Sequence, residues 1–107
     1  MVDDRVESAE LRRLRRRIDA LDRKIVGLLN ERAELARAAG AAKHAAGRRA
    51  IRDGQREREV LLRVTMANTG PLPQAELLAL YRRLMAATRA LEARDRERAG
   101  PGGTGEA

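Results

Sequence analysis

The sequence predicts an all-α fold: a three-helix subunit with one very long N-terminal helix, paired into an intertwined homodimer. Leu11, Leu14, Ile18, Leu21, Ile25 and Leu28 recur at alternating steps of three and four, the spacing of a helix seam. No strand-like alternation competes with it. Tyr81 is the only aromatic residue, so the core must come from Leu, Ile, Val, Met and many Ala, which suits closely packed helices.

The first helix is expected from about Leu11 to Lys43. It contains no proline, its glycines (Gly27, Gly40) are isolated, and Asp3, Asp4 and Glu7 precede it where negative charge suits a helix N-terminus. At ~1.5 Å per residue it is about 50 Å long. A compact domain of this size has a radius of gyration of only about 13 Å. Such a helix outgrows its own subunit, and its seam needs cover from a second copy. His44 to Arg52 then reads as a flexible basic connection with Gly47 as its pivot. Asp53 suits the N-cap of a second helix reaching about Ala67, with Glu57, Val60, Leu61 and Val64 on one face. Asn68-Thr69-Gly70-Pro71 is a turn cluster. Pro73 fits the first turn of a third helix whose stripe is Leu77, Tyr81, Leu84, Thr88 and Glu92. The expected divisions are a polar extension over 1–10, one folded domain over 11–94 and a disordered tail over 95–107.

Composition removes whole classes of chemistry. With no cysteine there is no disulfide, thiolate nucleophile or cysteine-bound zinc, and the single His44 supports no histidine cluster. Neither a metal nor a cofactor is expected. The polar start carries no signal-peptide pattern and no apolar run reaches the roughly 20 residues of a membrane span, so a cytoplasmic protein without a membrane partner is expected. Charged residues make up 36% of the 107 and the formal net charge is +7, which admits nucleic acid or a small anion as partner. The run Arg12, Arg13, Arg15, Arg16, Arg17 is the feature of a basic nucleic-acid-binding module, an alternative of another class. It predicts salt-dependent DNA binding and leaves the inward polar residues unexplained. Almost no aromatic side chain is present to stack bases.

Those inward residues are the informative ones. Arg32 occupies a seam position, and Lys43 lies eleven residues on, about three turns, on nearly the same stripe. Arg32 reads either as a snorkelling side chain with a buried stem or as part of an anion site. Lys43 reads either as a complement to the helix dipole or as a second cation of that site. Arg15 flanks the seam about 100° from Arg32, so the two converge more easily from different subunits. Arg56 and Glu57 stand one turn before Val60 and Leu61, with Arg58 and Glu59 as surface pairing. Thr88 can return its hydroxyl to a backbone carbonyl. Glu92 opposes the helix dipole if it is merely exposed. Together they give every helix a polar tip on its inward stripe.

The run Leu14-Arg15-Arg16-Arg17-Ile18-Asp19-Ala20-Leu21-Asp22, then Leu28-Leu29-Asn30-Glu31-Arg32, resembles the all-helical chorismate mutases. Lys43, Arg52-Asp53-Gly54-Gln55-Arg56-Glu57-Arg58-Glu59, Asn68-Thr69-Gly70-Pro71-Leu72 and Ala90-Leu91-Glu92 continue the likeness in order. It is greatest to the mutase domain fused to prephenate dehydratase. The resemblance implies an intertwined dimer that rearranges chorismate to prephenate on the route to phenylalanine and tyrosine. It implies Arg15 of one subunit and Arg32 of the other on the substrate carboxylates, with Arg56 in support and Thr88 beside a carboxylate. Lys43 and Glu92 would flank the ether oxygen, and Glu57 with the backbone near Asp53 would hold the ring hydroxyl. Many relatives carry glutamine in place of Glu92, although glutamate also occurs in the family; an ionised Glu92 would repel the ether oxygen, so it is expected to act protonated, with burial opposing its ionisation. The same fold also serves isochorismate–pyruvate lyase, the nearest enzymatic alternative. A partner enzyme of the shikimate route is a further expectation.

Overall fold

The computed structural model describes residues 8–100. They form three helices, α1 (Ala9–Ala45), α2 (Gly54–Ala67) and α3 (Gln74–Ala99), with no strand among them. Two compact units divide the chain, Met1–Leu35 and Ala36–Ala107, and α1 supplies residues to both.

In the first unit, Ser8 caps α1. Its Oγ accepts the Leu11 N–H at 3.0 Å, satisfying a donor that has no partner within the helix. The helix thus begins inside the extension expected over 1–10; residues 1–7 lie outside those described. The seam side chains are exposed, from 38% at Leu11 to 63% at Leu28. Gly27 and Gly40 interrupt the helix interior, where glycine costs about 1 kcal/mol relative to alanine. Nothing stands within 4 Å of a Cβ built on Gly27, whereas Gly40 is the buried residue of α1.

In the second unit, α1 ends in a Schellman motif. Arg48 N–H donates to the Lys43 carbonyl at 2.9 Å and Gly47 N–H to the His44 carbonyl at 3.0 Å. The motif needs a left-handed residue, and Gly47 supplies it at φ +90°. Asp53 caps α2 as expected: its Oδ1 accepts the Arg56 N–H at 3.1 Å. Asn68 closes α2 and carries the turn onward, its Nδ2 donating to the Leu72 carbonyl at 3.0 Å and to Gln74 Oε1 at 3.1 Å. Pro73 is the N-cap of α3 rather than a first-turn residue, and its carbonyl accepts the Leu77 N–H.

α2 packs on α3. The α3 stripe deepens along its length: Leu77, Tyr81 and Leu84 are half-buried, while Met85, Thr88 and Glu92 are buried. The expected tail over 95–107 needs correction. α3 continues to Ala99 and closes at Gly100, whose N–H donates to the Arg96 and Glu97 carbonyls. The Arg-Asp-Arg-Glu-Arg run reads as solvated by composition, yet two of its members hold other parts of the fold. Asp95 binds Arg37, and Arg96 Nη1 donates to the Arg49 carbonyl. The remainder, residues 101–107, lies outside those described.

Candidate functional site

Helical spacing delivers Thr88 and Glu92 to the interior, one turn apart on α3. Thr88 is 8% exposed and donates its hydroxyl to the Leu84 carbonyl at 3.0 Å, the back-bonding open to a buried helical threonine. Glu92 is 9% exposed, and its Oε1 has no hydrogen-bond partner among the described residues. A buried oxygen in that state is costly unless something else meets it. Beside it, a cavity of about 160 Å³ is lined by Arg37, Gly40 and His44 of α1 and by Asp95 and Arg96 of α3. Arg96 Nη2 is a second buried atom without a hydrogen-bond partner among the described residues.

The start of α2 forms a second polar cluster. Arg89 of α3 and Arg52 both pair with Glu57, Arg52 Nε at 3.4 Å. The Glu57 side chain is only 17% exposed, so this carboxylate is held between two guanidinium groups. Asp53 faces Arg48 at 3.5 Å. The Arg56 N–H, then the charges of Arg48 and Lys43, hold the Asp53 carboxyl below its ordinary value of 3.8. Lys43 is half-buried in the last turn of α1, where its carbonyl accepts the Arg48 N–H.

The second unit thus contains Lys43, Asp53, Glu57, Thr88 and Glu92, in two separate groups: Asp53 and Glu57 at the head of α2, and Glu92 beside the cavity along α3. The Arg56 side chain is exposed and faces Glu59 at 3.7 Å. The surface pairing expected of Arg58 and Glu59 falls to Arg56 and Glu59 instead. Arg15, exposed, and Arg32, half-buried, lie on α1 in the first unit. Seventeen residues separate them, about 26 Å along one helix.

Sequence reasoning missed Arg89, Arg37, Asp95 and Arg96. Arg89 carried one signal, its place beside Thr88 at the edge of the inward stripe. The others sat in runs of charge that resemble a solvated face. No helix among the described residues is long and apolar enough to cross a membrane.

A family model described as chorismate mutase type II matches residues 14–93. The chain is 39% identical over 87 residues to the bifunctional chorismate mutase/prephenate dehydratase of Aquifex aeolicus (strain VF5), covering 78% of this chain and 24% of that protein. It is 41% identical over 78 residues to the bifunctional chorismate mutase/prephenate dehydratase of Neisseria gonorrhoeae (strain ATCC 700825 / FA 1090), covering 73% and 21%. The corresponding protein of Stutzerimonas stutzeri is 37% identical over 90 residues, covering 80% and 25%. The chain therefore spans about a quarter of the length of these curated relatives.

Proposed function

The chain belongs to the type II chorismate mutase family, and we propose that it is an isomerase converting chorismate to prephenate. The observation that carries this reading is the family match over residues 14–93, which contains every residue proposed for the site. A pericyclic rearrangement breaks one C–O bond as a C–C bond forms. It asks of the protein only a bound reactive conformation and charge placed where charge develops. Arg15 and Arg32 bind the two carboxylates, a task suited to the planar guanidinium fork. Arg56 and Thr88 support that binding. Lys43 donates to the ether oxygen as a compact point charge, and Glu92 approaches it from the other side. Glu57 and the backbone at Asp53 hold the ring hydroxyl.

One small dianion cannot reach two arginines about 26 Å apart on one helix. We therefore place Arg15 and Arg32 of a given site on different subunits of a homodimer. The exposed seam of Leu11, Leu14, Ile18, Leu21, Ile25 and Leu28 supports this, since an uncovered apolar stripe of that length favours a partner helix. The proposed setting is cytoplasmic aromatic amino acid biosynthesis. An enzyme that consumes prephenate is the partner we propose, because the relatives' names join mutase and prephenate dehydratase. Assaying the purified chain on chorismate and on isochorismate tests the reading. Prephenate from chorismate supports it; pyruvate release from isochorismate alone makes the chain a lyase.

A further inference from the structure

Gly40 is the buried residue of α1, and the space beside it is filled by Glu92. A Cβ built on Gly40 would stand 2.8 Å from Glu92 Oε1, 3.0 Å from Cδ and 3.3 Å from Cγ. All three atoms belong to one side chain, so Glu92 lies along the bare backbone of α1 at this residue. Gly27 provides the contrast within the same helix, with nothing inside 4 Å of its Cβ position. Glycine is unfavourable within a helix, and at Gly40 close approach supplies a reason for it.

Among the described residues no hydrogen bond orients Glu92 Oε1. The charged and titratable groups lining the adjoining cavity are Arg37 and His44 of α1 and Asp95 and Arg96 of α3. Arg37 and Asp95 bind each other, and Arg96 donates through Nη1 to the Arg49 carbonyl. The close contact the structure shows at this carboxyl is with the backbone at Gly40. We propose that Gly40 is a positioning residue: by lacking a Cβ it sets the depth and direction of the Glu92 carboxyl. The inference rests on the reading that Glu92 acts at the ether oxygen of chorismate. A methyl group at residue 40 displaces that carboxyl, and misplacing a catalytic group by about 1 Å can cost on the order of 100-fold in rate.

The experiment is a double-mutant cycle in the full chain. Gly40→Ala should lower kcat by about 10- to 100-fold with KM little changed, while Gly27→Ala leaves both unaltered. In a Glu92→Ala background, adding Gly40→Ala should cause no further loss, because the effect passes through Glu92. An equal loss in both backgrounds overturns the proposal. A readout independent of activity accompanies it: at fixed pH the Glu92 side-chain carboxyl carbon resonance should shift in Gly40→Ala and stay in place in Gly27→Ala. If wild type shows no mutase activity, the functional reading fails while this resonance still decides the contact. If Gly40→Ala does not fold, Gly40→Ala/Glu92→Ala should restore folding by removing the clash. A double variant that remains unfolded overturns the proposal.

Discussion

Arg37 binds Asp95 through two hydrogen bonds of 2.9 Å, Nε to Oδ2 and Nη2 to Oδ1, across 58 residues of sequence. This fork joins the last turns of α1 to the last turns of α3 and explains why α3 stays helical through a run of alternating charges. The same hydrogen bonding, with the Arg37 charge, holds the Asp95 carboxyl below its ordinary value of 3.8. A carboxyl depressed on folding contributes stability that is full above its unfolded value. That contribution is lost as pH falls through the folded value. Asp95→Asn should therefore lower the denaturation midpoint at neutral pH. The gap to wild type should close in acid below 3.8, as urea unfolding at stepped pH will show.

Asp53 contributes through a different contact. Its Oδ1 accepts a backbone N–H at the head of α2, so Asp53→Ala leaves that donor without its cap and should lower the thermal midpoint. Asp53→Asn retains an acceptor of the same shape and should fall by less. Circular dichroism melts of the two variants separate the cap from the charge.

Met85 is the buried hydrophobic residue among those described. Met85→Ala removes most of a buried side chain and leaves a cavity. The expected loss is about 2–5 kcal/mol, measurable by denaturant titration. A loss below about 0.5 kcal/mol would place the core elsewhere.

Glu92 lies where, on the proposed mechanism, a negative charge would repel the ether oxygen as the C–O bond breaks. A hydrogen-bond donor is what that mechanism calls for at residue 92, so Glu92→Gln should keep or raise mutase activity while Glu92→Ala lowers it. Equal losses in the two variants would remove residue 92 as a donor from the mechanism.

Much of this was legible in the sequence because it is local. The seam of α1, the Asp53 cap, the Asn68–Pro71 turn and the inward stripe ending in Thr88 and Glu92 each depend on spacing within a few residues. What escaped depends on pairing between distant residues. Arg37 and Asp95 each sit among other charges, so composition assigns both to solvent, and only the fold brings them together. Arg89 beside Glu57 is the same case. The Arg56–Glu59 pair, one turn apart on α2, is local, yet the sequence offers Arg58 equally well as the partner of Glu59. The partnerless oxygen of Glu92 and the bare backbone of Gly40 were each visible as residues, but not as neighbours.

The central claim is a mutase whose site takes Arg15 and Arg32 from different subunits. Mixing tests it most directly: prephenate formation is followed with wild type, Arg15→Ala, Arg32→Ala, and the two variants combined and reassembled. Wild type should convert chorismate, and each variant alone should be nearly inactive. The equimolar mixture should recover up to about a quarter of wild-type activity, because a mixed dimer holds one intact site. A purified dimer that binds chorismate without converting it, or a mixture no more active than its parts, would contradict the account.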